Sequence, residues 1–220
     1  MFAAGFGTRM LHLTADRPKP MVEVAGRPLI GHALNLAAET DPPIIVANLH
    51  YLPEQLEAYL QPRGVKTLRE TPNILDTGGG LRNALSLLGT NPVMTMNTDA
   101  IWSGPNPLAL LHAAWRPDRM DALLMGVPVA RALEHDGQGD FSIAQDGRLR
   151  RGPGLVYGGV QIIKTALLHE IAERSFSLNL IWDKMLAKGS LFGLSYPGRW
   201  CDVGHPGGIA TAEELIAQDV

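Results

Sequence analysis

The segment Met1-Phe2-Ala3-Ala4-Gly5-Phe6-Gly7-Thr8-Arg9-Met10 passes from a short apolar run straight into a Gly-x-Gly turn that carries an arginine. Glycines in that place let the backbone turn tightly and bare its N–H groups to an anion, as phosphate-binding nests do. A dinucleotide fingerprint needs a third glycine three residues after the second, and that position is Met10, so a Rossmann cofactor turn is not expected. Pro18-Lys19-Pro20 follows. The fixed φ of the two prolines predicts an extended, non-helical lysine at the surface rather than in the core.

Outward from this loop, apolar runs rich in β-branched residues alternate with helical patterns, which marks a mostly parallel sheet covered on both faces. Strands are expected at 1–4, 44–48, 65–69, 93–97, 122–129, 141–144, 155–163 and 191–195. Helices are expected at 29–40, 53–60, 80–88, 107–115, 165–174, 178–188 and 207–218, where apolar residues recur at spacings of three and four. The polar, glycine-rich stretch 131–154 reads as an inserted hairpin turning at Asp146-Gly147. With 220 residues, 45% of them hydrophobic, and no repeat or linker, the chain suits one core. The expected fold is one three-layer α/β/α Rossmann-like domain over 1–220, with a mixed, mostly parallel central sheet and a small β-hairpin insertion.

A net charge of −3 with no basic run argues against a nucleic-acid partner, while a small anion needs only local cations. Cys201 is the single cysteine, which rules out an internal disulfide and fits a reducing compartment. No apolar run reaches the roughly 18 residues of a membrane span, and no leader pattern precedes the first motif. The expectation is a cytoplasmic protein without a membrane partner, monomeric or a small homo-oligomer.

Two acidic residues stand alone in apolar settings. Asp99 closes Val93-Met94-Thr95-Met96-Asn97-Thr98-Asp99, at the carboxyl end of an expected central strand, where open α/β sheets place ligands. It could instead cap the next helix, but Asn106 is better placed for that. Asp202 lies beside Trp200 and Val203, where an unpaired carboxylate is costly to bury and a Mg²⁺ ion would compensate it. Magnesium takes oxygen ligands, commonly one or two carboxylates with phosphates and waters, which matches one Asp from each half. A triphosphate on the first loop and a metal on these acids are the parts that move a nucleotidyl group. Gly78-Gly79-Gly80 reads either as a flexible turn or as a backbone surface for a base or ribose. Glu70 either helps select the base or ends a strand.

In these residues the chain resembles the sugar-1-phosphate nucleotidyltransferases. The resemblance is carried by Gly5-x-Gly7-Thr8-Arg9-Met10, Arg17-Pro18-Lys19-Pro20, Asn48-x-His50-Tyr51, Asp76-Thr77-Gly78-Gly79-Gly80, Asn97-Thr98-Asp99, Tyr157-Gly158-Gly159 and Trp200-Cys201-Asp202-Val203-Gly204. It spans the chain, and the short single-domain branch acting on N-acetylmuramate 1-phosphate is the most similar. The resemblance implies a nucleoside triphosphate, UTP first, and a sugar 1-phosphate as substrates, with Mg²⁺ as cofactor. It implies catalytic roles for Arg9, Lys19, Asp99 and Asp202, the two acids as metal ligands. It further implies nucleotide contacts from Ala4, Gly5, Phe6, Gly7, Thr8, Arg9, Lys19, Glu70, Gly78 and Gly79, within a nucleotide-binding half of about residues 1–105. The other half would bind the sugar phosphate, with Asn97, Asp140, Tyr157, Gly158 and Asn179 toward the sugar. Mannose-1-phosphate guanylyl transfer and glucose-1-phosphate uridylyl or thymidylyl transfer are the alternatives within the family. A non-catalytic nucleotide-sugar-binding subunit would be expected to lose one of the four charged residues, and a glycosyltransferase to show an Asp-x-Asp pair. The seven histidines receive no role. One departure stands out: the family carries several more apolar residues before Ala3-Ala4-Gly5, so a truncated or late-started chain is expected; a chain that truly began here would leave the Arg9 loop short of part of its anchor and put activity in doubt.

Overall fold

The computed structural model describes residues 1–89 and 92–218. After the glycine turn, a two-residue hairpin of β1 (Glu23–Val24) and β2 (Arg27–Pro28) leads into α1 (Leu29–Ala38). Then follow β3 (Val46–Leu49), α2 (Pro53–Leu60), β4 (Lys66–Arg69), α3 (Asp76–Leu88), β5 (Val93–Met96), β6 (Ala100–Ser103) and α4 (Pro107–Ala114). The second half contains β7 (Ala122–Pro128), β8 (Ala132–Leu133), β9 (Phe141–Ile143), β10 (Leu149–Arg151) and β11 (Leu155–Ile163). It ends with α5 (Asn179–Lys188), β12 (Leu191–Ser195), β13 (Arg199–Asp202) and α6 (Gly207–Ala217).

The N-terminal residues join the two halves of the central sheet. Phe2 forms parallel bridges to Asn48, in β3, and to Asn97, just past β5, while β3 pairs in parallel with β4. On the far side β11 runs antiparallel to both β5 and β7, and β12 runs parallel to β7. The order is therefore β4, β3, the Met1-Phe2 segment, β5, β11, β7, β12, with β11 alone reversed. The expected mixed, mostly parallel sheet is present, and β9 and β10 form the expected hairpin beside β11.

Alternation along β7 sets the layers. Leu123, Met125 and Val127 pack with Ala33, Ala37, Leu108 and Leu111 of α1 and α4. Ala122 and Leu124 face Leu81, Leu85, Ile181, Trp182 and Met185 of α3 and α5. A strand covered on both faces reads as an unbroken apolar run, which is why β7 is so plain in the sequence.

Four expectations are corrected. The strand at 1–4 shrinks to the Phe2 bridges, held by Phe2 N–H donating to Met96 O at 2.8 Å and Asn48 N–H donating to Met1 O at 3.2 Å. The helix at 80–88 begins four residues earlier, at Asp76, so the three glycines lie within it. The helix at 165–174 is only a 3-10 turn, Ala166–Glu170. Beyond it, the Arg82 guanidinium binds the carbonyls of Ile171, Glu173 and Arg174, which holds that segment in a loop. Finally, β6 and β13, unanticipated as strands, pair antiparallel in a second small sheet with β8.

Candidate active site

The carboxyl ends of β3 and β5 and the turn after Ala4 surround a cleft of about 260 Å³. Ala4, Gly5, Lys19, Asn97 and Asp99 line it, together with Asn48, Asp76 and Thr77. A larger cavity of about 600 Å³ lies beside Met1, Val46 and Met94 and is lined by none of the expected site residues.

Lys19 lines the cleft and packs against the loop. Gly7 has φ 65°, and a Cβ built there would lie 2.6 Å from Lys19 Cβ, so a glycine lets the lysine stem pack directly against the turn. Thr14 Oγ1 donates to Gly7 O at 3.1 Å and fixes that turn. The lysine setting differs from expectation twice. Only Pro18 is extended, with Lys19–Met21 forming a 3-10 turn, and Lys19 is buried at 9% exposure. Its Nζ donates to Asp99 Oδ2 at 2.7 Å.

Asp99 and Asp202 are brought together by the β6–β13 pairing. Asp202 stands opposite Ala100, and Val203 N–H donates to Asp99 O at 3.0 Å. The two acids, 103 residues apart in sequence, therefore sit at one end of one strand pair. Burial pushes the Asp202 carboxyl above its ordinary pKa, and the Asp99 charge pushes it further, while Lys19, Arg9 and His135 pull it back. Gly204 marks where Arg9 stands. A Cβ built on it would lie 2.8 Å from Asp202 Oδ2 and 3.1 Å from each terminal nitrogen of Arg9. Gly204→Ala must displace one of these groups, and turnover should fall by up to about 10²-fold, the cost of a misplacement near 1 Å. Steady-state kinetics on the purified variant check this, and unchanged kcat would show that the pair has room to move.

Two neighbouring carboxylates suit a hard divalent cation whose other ligands are phosphate oxygens and waters. Among the described residues no group of three or more His, Cys, Asp or Glu side chains could hold a metal, so the substrate would have to complete the shell. The charge balance fits that arrangement, since burial and the Asp99 charge both raise the cost of ionising Asp202 unless a cation is near.

Other expected contacts lie elsewhere. Phe6 is exposed, with its ring edge-on to His50 at 5.2 Å and tilted against Tyr51 at 6.1 Å. Thr8 and Arg9 open the 3-10 turn Thr8–Thr14 and are exposed. Glu70 is 1% exposed and accepts from Asn48 Nδ2 and from Leu75 N–H, each at 2.6 Å, so it ties the end of β4 to the start of α3. Gly78 and Gly79 both donate to Phe176 O, at 2.9 and 3.1 Å, and side chains there would collide with Phe176 and with Arg174 O.

On the sugar side only Asn97 lines the cleft, with its N–H donating to Gly159 O at 2.8 Å. Asp140 Oδ2 accepts from Tyr157 N–H at 2.8 Å. The Tyr157 ring packs edge-on to Trp182 at 4.8 Å, and burial raises its phenol pKa. Gly158 lies under Trp102, and Asn179 is exposed on α5, accepting from Arg151 Nη2 at 2.8 Å. Asn48, Asp76, Thr77, Gly204 and His135 carry no assigned role in the sequence reading. The first four fall inside its recognised motifs, so position was available and role was not.

Comparison with known proteins agrees with this fold. Residues 1–173 match the model of the MobA-like NTP transferase domain. The chain is 38% identical to an N-acetylmuramate alpha-1-phosphate uridylyltransferase of Caulobacter vibrioides, over 99% of its own length and 96% of that protein. It is 32% identical to the protein of the same name from Neisseria meningitidis, over 98% and 96% respectively. The crystal structure of HddC from Yersinia pseudotuberculosis superimposes with a TM-score of 0.77 over 98% of this chain and 97% of that one, a likeness of fold at 22% identity. Family model and full-length relatives agree, and the chain belongs to the MobA-like NTP transferase family.

Proposed function

We propose that this chain is a sugar-1-phosphate nucleotidyltransferase that transfers the uridylyl group of UTP to N-acetylmuramate 1-phosphate and releases pyrophosphate. The names of its full-length relatives support the substrates. One observation supports the chemistry: Lys19 is bonded to Asp99 in the cleft lined by Ala4 and Gly5, and Lys19, Arg9 and Asp99 all act by charge on Asp202.

In the reaction a phosphate oxygen of the sugar 1-phosphate attacks the α-phosphorus of the triphosphate. The bond from that phosphorus to the bridging oxygen breaks, and its electron pair leaves with pyrophosphate. The nucleophile is already ionised near pH 7, so no base is required, and the barrier lies in bringing two anions together while charge moves to the leaving group. The backbone of Ala4 to Thr8 wraps the triphosphate. Arg9 binds the departing pyrophosphate with its planar fork, and Lys19 supplies a compact charge between the α-phosphate and the incoming phosphate. Asp99 and Asp202 would hold Mg²⁺, which supplies charge neutralisation on the phosphate oxygens when bound. Asn97 faces the acceptor. Glu70, Gly78 and Gly79 shape the base pocket through the placement of α3, while Asp140, Tyr157, Gly158 and Asn179 build the sugar side through β11 and α5.

No helix among the described residues is long and apolar enough to cross a membrane, and the single buried thiol suits the reducing cytoplasm proposed as its location. The test is pyrophosphate release from four nucleoside triphosphates, each offered N-acetylmuramate, N-acetylglucosamine, glucose and mannose 1-phosphates with Mg²⁺. UTP with N-acetylmuramate 1-phosphate should give the highest kcat/KM, and EDTA should abolish it. Preference for GTP and mannose 1-phosphate would change the substrate, and silence with every pair would overturn the enzyme reading.

A further inference from the structure

We propose that Thr95, Tyr157 and Gln161 are positioning residues for the acceptor: as one buried polar network they fix the bulge of β11 against which Asn97 stands in the cleft. The inference rests on the nucleotidyltransferase reading, in which Asn97 faces the sugar phosphate.

Polar groups gather here in an otherwise apolar part of the sheet. Gln161 is fully buried in β11 and stands opposite Thr95 of β5, itself 3% exposed. Trp182 Nε1 donates to Gln161 Oε1 at 2.9 Å. An indole N–H can only donate, so it fixes which way the amide lies and leaves Gln161 Nε2 as a donor. Gln161 Nε2, Thr95 Oγ1 and Tyr157 Oη are all buried and make no hydrogen bond of standard geometry. Burial raises the Tyr157 phenol pKa and the Thr95 hydroxyl pulls it back, so these two hydroxyls are neighbours. Buried polar groups of this kind are costly, and three in one place call for a role.

Their place in the fold supplies it. Tyr157 and Gln161 bracket the point where the pairing of β11 with β7 shifts register. Between them Gly159, at φ 87°, bends the strand so that its carbonyl accepts from Asn97 N–H at 2.8 Å. A Cβ built on Gly159 would lie 2.8 Å from Asn97 Cβ, so the bulge touches the Asn97 side chain as well as its backbone. The network grips both sides of that contact, β11 through Tyr157 and Gln161 and β5 through Thr95, two residues before Asn97. Trp182 anchors it to α5, with the Tyr157 ring packed edge-on at 4.8 Å. Asn97 lines the cleft and none of the three does, so they act on the acceptor through Asn97.

Thr95→Val, Tyr157→Phe and Gln161→Met remove the polar groups at nearly constant shape. Hydrogen exchange reads the result without substrate: the Asn97 amide should lose protection in each variant while the amides of β7 keep theirs, whereas general destabilisation would speed both. In steady-state assays KM for the sugar 1-phosphate should rise about tenfold, inside the roughly 10²-fold cost of a misplacement near 1 Å, with KM for the triphosphate unchanged. Because the groups act as a unit, Thr95→Val combined with Tyr157→Phe should lose little more than the worse single variant. Folded variants with native Asn97 protection, or with both KM values raised together, overturn the positioning role and leave the network as packing. Gln161→Met strips Trp182 of its acceptor; should it not fold, the two hydroxyl deletions still decide the matter. Silence with every substrate pair would remove the nucleotidyltransferase reading, and Asn97 exchange would still show whether the network holds that residue.

Discussion

Lys19→Met should lower kcat by about 10²–10³-fold, the range found when one preorganised charge stabiliser is removed from a transition state. Its effect on KM for UTP should be much smaller, because on the proposed reading the loop backbone and Arg9 still hold the triphosphate. Methionine is the informative replacement because Lys19 is buried and its stem packs against Gly7. Alanine would also open a hole beneath the phosphate loop and confuse packing with charge. Removing the ammonium does leave Asp99 without its 2.7 Å partner, so thermal unfolding must be followed beside the kinetics. A variant with a near-native Tm and unchanged turnover would return Lys19 to a purely structural role, bracing β5 against the N-terminal turn.

The parts of the fold legible in the sequence are those where one cause dominates. β7 and β11 are covered on both faces and appear as long apolar runs. Asn106 caps α4 as expected, its Oδ1 accepting from Leu108 and Ala109 N–H. The hairpin turns where expected, with Gly147 at φ 87° and Asp146 Oδ1 accepting from Arg148 N–H at 3.1 Å. What escaped depends on partners remote in sequence. β6 and β13 have four residues each, too few for a period, and their register, Arg199 opposite Ser103 to Asp202 opposite Ala100, joins segments remote in sequence. Lys19 shows how a polar residue hides its burial, since nothing near Pro18-Lys19-Pro20 reveals that Asp99 waits for it.

The glycines of α3 teach a different lesson. A glycine run signals close approach to a backbone, and the sequence does not say by what. Here Phe176 and Arg174 O approach Gly78 and Gly79, while the side chains of Asn48 and Glu70 approach Gly80. Arg9, Lys19, Asp99 and Asp202 were legible as a set through the family resemblance, with Asp202 also standing out in an apolar setting where a lone carboxylate is costly to bury. Their convergence on one point needed the fold.

Asp99→Asn and Asp202→Asn should each depress kcat/KM by about 10²–10³-fold and raise the Mg²⁺ concentration needed for half-maximal rate. Asparagine keeps the shape and removes the charge, so the strand pair that carries both residues should survive. Asp99→Asn should be the more damaging, because that carboxylate also positions Lys19. The double variant decides whether they share an ion. Independent acids would multiply their losses to about 10⁴–10⁶-fold, whereas two ligands of one ion act as a unit, and losing the second costs little once the first is gone. The geometry favours the unit, since Val203 N–H is bonded to Asp99 O and the Asp99 charge adds to the burial that raises the Asp202 pKa. Fully multiplicative losses would separate the two residues. Asp99 would then remain the metal ligand, and Asp202 would be left to orient Arg9 across Gly204, a role that predicts a loss of pyrophosphate handling with no change in the Mg²⁺ requirement.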